Sequence, residues 1–302
     1  MASGHPLQSL GFVGFGEVGK ALAASLRPMV TDIAVYDILF DDAAEAPAAR
    51  QAAADLGVRA VATPDELSGA DRLVISCVTA SSAIAVVTRA ASWLARGQYL
   101  LDVNSISPQG KQEGAGIVNA AGGRYVEGVI MSPIHPAKHQ APMLFGGRDA
   151  GAAAAFLNGL GMNITVASED IGFASANKMC RSIMVKGMEA LVLECLVTAR
   201  HYGVEENVLT SLDATFPGMK WHETAHYMLE RVLTHGKRRA EEMRFSAKTV
   251  EAAGWTPHMT AAIAERMQWT VDTIPQAESR ALGQQDMVTI LDRLVQELKT
   301  TG

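Results

Sequence analysis

The run Gly14-Phe15-Gly16-Glu17-Val18-Gly19 sets three glycines at G-x-G-x-x-G spacing. It lies between a short apolar stretch, Leu10 to Val13, and an alanine- and leucine-rich stretch, Lys20 to Leu26. No other feature restricts the fold as much. A strand that turns sharply into a helix through three such glycines opens a parallel α/β unit. Gly14 permits the tight turn. Gly16 lets the backbone approach a pyrophosphate, and Gly19 lets the helix pack closely on the strand. The helix N-terminus then presents unpaired N–H groups and a positive dipole end to the phosphates. The next strand, Ile33 to Tyr36, ends at Asp37, 18 residues after Gly19. That is near the spacing of the acid that accepts hydrogen bonds from an adenosine ribose. A carboxylate there repels a 2′-phosphate, so the expected cofactor is NAD, with NADP disfavoured. Gly14, Phe15, Gly16, Glu17, Val18, Gly19 and Asp37 form the expected cofactor-contacting set, completed by Val78, Thr79 and Asn104.

The alternation continues for about half the chain. Apolar runs at Val58 to Ala60, Arg72 to Val78, Tyr99 to Val103, Tyr125 to Ile130, Pro142 to Gly147 and Ile164 to Ala167 read as strands. Ala43 to Leu56, Ser82 to Trp93 and Gly110 to Ala121 read as helices, and a short one starts at Asp65. This order predicts a doubly wound parallel sheet with helices on both faces. The pattern changes after Ser168. From Ile171 to Tyr202 there is no proline and apolar residues recur at helical spacing, which predicts one long helix. Helices are expected at Val208 to Leu212, Met219 to His235, Arg238 to Ala253, Pro257 to Thr273 and Gln285 to Lys299. The expected organisation is therefore a Rossmann domain over 1–168 and an all-helical domain over 169–302, joined by the long helix.

Composition excludes several classes. The net charge of −6 argues against a nucleic-acid binder, which usually carries a basic face. No apolar run is long enough to span a bilayer without interruption, and the N-terminus lacks the basic-then-apolar order of a signal peptide. A cytoplasmic protein is the expectation. The three cysteines, Cys77, Cys180 and Cys195, fit no metal spacing and read as small core residues in a reducing compartment.

Three segments together resemble the β-hydroxyacid dehydrogenases, the family of 3-hydroxyisobutyrate and 6-phosphogluconate dehydrogenases. The opening Gly11-Phe12-Val13-Gly14-Phe15-Gly16-Glu17-Val18-Gly19 is similar to the family's first strand and turn. Asp102-Val103-Asn104-Ser105-Ile106-Ser107-Pro108 resembles its D-x-S-T-x-x-P substrate loop. Gly172, six residues before Lys178, resembles the start of its catalytic helix, G-x-G-x-x-x-K-x-x-x-N. The resemblance implies Lys178 as general acid/base and Ser105 as a substrate-binding residue, in a homodimer or higher homo-oligomer acting on a small hydroxy acid. Departures from the pattern are Ala174 for the second helix glycine and Ser182 for the asparagine. Ser182 still shares a face with Lys178 at i,i+4. The family's Pro-Val-Ser-Gly-Gly is replaced by a segment carrying Ser132, Pro133 and His135, all expected at the substrate. Its Lys-Asp-Leu signature gives way to Gly236 to Met243, with Arg238 and Arg239. These changes imply a divergent branch with its own C-terminal helical domain and its own substrate.

The residues themselves say what the reaction needs. Oxidising an alcohol with NAD requires a base for the hydroxyl proton. An ordinary lysine titrates near ~10.4 and needs burial or a helix N-terminus to act near neutrality; Lys178 sits near the start of the long helix. Lys186, eight residues on, lies on roughly the same face, and spacing alone does not choose between them. His135 and His139 flank a proline-rich loop. His222-Glu223-Thr224-Ala225-His226 has the HExxH spacing of zinc peptidases, but lies in the helical half without an evident third ligand. No metal is expected. The alternatives are an imine reductase, an architecture that generally lacks the helix lysine, and a dinucleotide-binding protein with a degenerate site.

Overall fold

A computed structural model describes residues 7–69 and 71–300. The signal-peptide reading leans on residues 1–6, which lie outside them. The N-terminal part runs β1 (Ser9–Val13), α1 (Glu17–Leu26), β2 (Ile33–Tyr36), α2 (Ala46–Asp55), β3 (Arg59–Ala60), β4 (Arg72–Ser76), α3 (Ala83–Ala90), β5 (Tyr99–Asp102), α4 (Pro108–Ala120), β6 (Arg124–Ile130), β7 (Met143–Gly146), α5 (Ala150–Gly159) and β8 (Ile164–Ser168). Then come only helices: α6 (Phe173–Tyr202), α7 (Glu205–Thr215), α8 (Trp221–Ala252), α9 (His258–Thr273), α10 (Gln276–Gly283) and α11 (Met287–Thr300).

The strands form one sheet in the order β3-β2-β1-β4-β5-β6-β7-β8. β1 is buried along its whole length, as a central strand covered on both faces must be. It pairs in parallel with β2 (Val13 opposite Tyr36) and with β4 (Val13 opposite Ser76). The strand order reverses at β1 and β4. In open α/β sheets ligands bind in the crevice at the carboxyl ends of the strands at such a reversal. Gly14 and Cys77 are the residues that leave the two strands there.

The sheet is parallel as expected except at one pairing. β7 runs antiparallel to β6, with Glu127 opposite Gly146, and β8 is parallel to β7. The connection between β6 and β7 holds only a 3-10 turn, Lys138–Gln140. It lacks the crossover helix that usually returns a chain for parallel pairing.

Packing divides the chain into two compact units, Met1–Lys178 and Met179–Gly302. The sequence boundary at 168/169 falls just before α6; this division falls within α6. The first unit has its own core, with Leu10, Phe12, Leu22, Leu73, Leu100, Val126 and Phe145 fully buried. The second is built on Leu193, Leu196, Leu209, Leu229, Met243, Met267, Ile290 and Leu294. The two helices expected over 219–253 form the single α8, bent where His235 leaves helical geometry at φ −127°. Gly236 follows. A Cβ there would stand 2.9 Å from Val271 of α9, so the glycine admits a close helix–helix approach.

One expectation about burial fails. Cys180 and Cys195 are exposed, and only Cys77 faces inward. Helix α6 has solvent-facing positions as well as core ones, so a cysteine at helical spacing does not report its own depth. Tyr227 is exposed, whereas Trp221 is buried. Among the described residues no helix is long and apolar enough to cross a membrane.

Candidate functional site

The glycine turn has the geometry that its spacing requires. Gly14 has φ +95°, and a Cβ there would lie 2.6 Å from the Cys77 carbonyl oxygen. A Cβ on Gly19 would lie 2.4 Å from the Gly14 carbonyl oxygen, so α1 sits directly on the turn. Gly16 differs: no heavy atom lies within 4 Å of a Cβ built on it. It is the N-cap of α1, with no side-chain cap, so the first N–H groups of the helix are left for another acceptor. Open space above an uncapped helix N-terminus is the cradle a pyrophosphate needs. Glu17 is exposed and Val18 half-buried beside it.

Asp37 leaves β2 beside this turn. Its carboxylate accepts from the Phe15 N–H at 2.5 Å and the Leu39 N–H at 2.9 Å. The acid is thereby tied to the glycine turn itself. Across the turn, the Cys77 thiol donates to the Gly14 carbonyl oxygen at 3.0 Å, and burial pushes that thiol up to about 12. Cys77 is thus a packing residue and no nucleophile. Val78 is half-buried and Thr79 exposed just beyond it.

The second cluster lies at the ends of β4 and β5. The Lys178 ammonium donates to the Ser105 hydroxyl at 2.5 Å, which brings together two residues 73 positions apart. Asn104, next to Ser105, is buried. Its amide donates to the Ser76 hydroxyl at 3.0 Å while its own Oδ1 is left without a partner. A buried unpaired acceptor at a strand end is a place for a ligand donor.

Beneath this loop lies a network that sequence reasoning missed. Lys111 of α4 is fully buried. It pairs with Asp102 Oδ1 at 3.1 Å and donates to the Asp102 carbonyl oxygen at 2.7 Å. Tyr125 of β6 donates to Asp102 Oδ2 at 2.8 Å. Burial, and then the Asp102 charge, push its phenol well above its ordinary value, so it stays a donor. Asp102 also accepts from the Asn104 N–H at 2.9 Å. Lys111 reads in the sequence as one more solvated lysine on a polar helix. Only the three-dimensional partner shows otherwise.

Glu127 was missed too. It stands opposite Asp102 in the β5–β6 pairing and is completely buried. Its two oxygens accept from the Gly172 N–H at 2.8 Å and the Ser175 N–H at 2.7 Å. This places a carboxylate on the N-terminus of α6. The bare positive helix end that the sequence reading set against a cation at Lys178 is therefore offset.

The remaining candidates separate. Lys186, the competitor, pairs with Glu242 at 2.8 Å and donates to Ser182 at 3.1 Å within the helical unit. Nearby, Arg239 pairs with Glu189 at 2.5 Å, both buried. Arg238 is exposed. Ser132, Pro133 and His135 lie on the loop after β6, Ser132 half-buried and the other two exposed; the 3-10 turn of that loop packs against α1. His222 lies between Glu206 (3.0 Å) and Asp213 (3.2 Å), which hold its imidazolium above the ordinary histidine range, the Glu206 hydrogen bond contributing most. His226 instead meets the Gln285 carbonyl oxygen. Among the described residues no group of three or more His, Cys, Asp or Glu side chains is placed to hold a metal.

Known proteins resemble the chain in sequence and in fold. A family model described as the NAD binding domain of 6-phosphogluconate dehydrogenase matches residues 9–167, more than half of the chain. The chain belongs to that family. A domain of unknown function, DUF1932, matches 199–270. Mitochondrial 3-hydroxyisobutyrate dehydrogenase of Bos taurus is 24% identical over 228 residues, covering 73% of this chain and 65% of that enzyme. A solved structure of a conserved hypothetical protein from Sinorhizobium meliloti 1021 is 34% identical, with TM-score 0.76 over 97% of this chain and 98% of its own. A reductive aminase from Aspergillus terreus, solved with NADPH and ethyl levulinate, shares the fold at 19% identity, with TM-score 0.57 over 95% and 99% of the two chains. Residues 9–167 are thus an NAD(P)-binding domain in a chain homologous to hydroxyacid dehydrogenases.

Proposed function

We propose that the chain is an NAD-dependent oxidoreductase that oxidises a β-hydroxy acid or a related hydroxy compound, with Lys178 as general acid/base. The observation that carries this reading is the Lys178–Ser105 hydrogen bond at 2.5 Å, at the carboxyl end of the sheet. A serine hydroxyl that already meets the lysine marks where a substrate hydroxyl would be received.

Gly14 to Gly19 would hold the pyrophosphate on the N-terminus of α1, and Asp37 the adenosine ribose. Asp37 favours NAD because a 2′-phosphate would face a carboxylate fixed by two backbone N–H groups. The bound dinucleotide supplies the two-electron acceptor. Lys178, as the neutral amine, takes the proton from the substrate hydroxyl as the carbonyl forms. In the reverse direction its ammonium returns that proton to the carbonyl oxygen. Ser105 orients the hydroxyl, and the free Oδ1 of Asn104 offers an acceptor to a donor on cofactor or substrate. Ser132, Pro133, His135 and Ser182 are proposed to shape the substrate side. A homodimer or larger homo-oligomer is proposed from the resemblance.

The test is a screen of hydroxy acids, including bulky and aromatic ones, for reduction of NAD and of NADP, with an imine-plus-NADPH arm. Oxidation of a hydroxy acid, abolished in Lys178→Met, supports the reading. Imine reduction without alcohol oxidation overturns it, as does better efficiency with NADP for the Asp37 argument.

A further inference from the structure

We propose that Glu127 is the positioning residue of this site: it fixes the first turn of α6 and thereby sets where Lys178 meets Ser105. The inference rests on the reading that Lys178 is the reacting group.

A charged side chain in the middle of a covered strand is costly unless its oxygens find donors. Glu127 has buried neighbours on both sides in β6. Space has been made for it. On β7, Gly146 stands opposite, and a Cβ there would lie 2.6 Å from Glu127 Oε2. Gly147 and Gly172 both have positive φ, +109° and +104°. At Gly147 a Cβ would stand 2.7 Å from Ile171. The glycines therefore let the approach to α6 pass close over the carboxylate.

The two N–H groups it receives are among those that a helix start leaves unpaired. Gly172 precedes the helix and Ser175 lies in its first turn, one turn before Lys178. A second tie comes from the other side: Gln112 of α4 donates to the Ile171 carbonyl oxygen at 3.1 Å. Helix α4 begins three residues after Ser105, and its own frame is set by the Lys111–Asp102 pair. The lysine and the serine are thus fixed from opposing acids, Glu127 and Asp102, that face each other across β5 and β6. A plain helix cap needs one exposed Ser, Thr, Asp or Asn. Reaching from a buried strand position to hold both amides fixes the angle at which the helix leaves as well as its start.

The test uses the full chain and needs no substrate. Glu127→Gln replaces one acceptor oxygen with a donor that faces an amide. Three readouts are compared with wild type: deuterium exchange of the amides over 172–178, acetylation of Lys178 by acetic anhydride relative to exposed Lys20, and NADH affinity by fluorescence. Loss of a buried charge-assisted hydrogen bond predicts exchange faster by about tenfold or more. The Lys178/Lys20 acetylation ratio is expected to change severalfold, while NADH affinity stays within about twofold because the cradle is elsewhere. Faster exchange with an unchanged acetylation ratio overturns the proposal and leaves Glu127 as a cap. Unchanged exchange overturns it as well. Should Glu127→Gln fail to fold, Glu127→Asp keeps the buried charge but draws it back by about 1.5 Å, and the same shifts are expected. Failure of the dehydrogenase reading would appear separately, as no turnover in the screen with these three readouts intact.

Discussion

Gly16→Ala separates ligand binding from folding at the glycine turn. The backbone of Gly16 is extended (φ −78°, ψ −154°), which alanine can adopt, and an added Cβ meets nothing within 4 Å. Its cost to the protein is that of a poorer N-cap, about 0.5–1 kcal/mol. A bound pyrophosphate would meet that methyl group. Holding it away from the helix N-terminus loses one or two charge-assisted hydrogen bonds at about 1.5–3 kcal/mol each. The expected result is a dinucleotide Kd raised at least about tenfold, with a Tm drop of no more than roughly 4 °C. Gly14→Ala is the contrasting variant. Its φ of +95° and the 2.6 Å approach to the Cys77 carbonyl oxygen predict lost stability of about 2–4 kcal/mol from strain and overpacking together. NADH fluorescence titration and thermal melting on both proteins give the comparison. A Gly16→Ala protein that binds NADH within threefold of wild type would refute the placement of the pyrophosphate.

Other outcomes follow from the same geometry. Lys111→Met strands the buried Asp102 carboxylate; a loss of about 3–5 kcal/mol is expected in urea unfolding, and a loss under 1 kcal/mol would contradict the burial. Asp37→Asn should weaken NAD binding about tenfold through lost charge-assisted bonds and narrow the gap to NADP, measured as the ratio of the two dissociation constants. His235 is pushed down to about 4, first by burial and then by Arg238, Arg231, Arg239 and Arg280. Its unfolded form binds a proton near ~6.5, so its contribution to stability is present above that pH and is lost as the pH falls toward 4. Urea midpoints at pH 7 and pH 5 should therefore differ more in wild type than in His235→Gln; equal differences would count against the assignment.

How much of this was readable in the sequence varies by residue and by physical range. The cradle was readable because a strand, three glycines and a helix constrain one another locally, and Asp37 lies one α/β step away. The Lys178–Ser105 meeting came from a resemblance in two separate motifs, since 73 residues of chain hide it from any local pattern. Glu127 and Lys111 carried no signal. A charge in a strand or on a helix reads as solvated until the fold supplies its partner. The direction of β7 was also hidden, because apolar periodicity is the same along either sense of a strand. Helix α10 was missed because eight residues rich in polar side chains show too few turns to reveal a face. The bend at His235 did leave a trace: the sequence pattern broke into two helices at that point.

The role proposed for Lys178 is to move the proton in an NAD-dependent oxidation. It is tested most directly by the initial rate of NADH formation with the best hydroxy acid from the screen, measured for wild type and Lys178→Met at saturating NAD. General acid–base catalysis of this kind contributes roughly 10²–10⁴-fold. The expected result is a fall in kcat of that order with NADH affinity retained. A Lys178→Met protein that turns over within tenfold of wild type would contradict it.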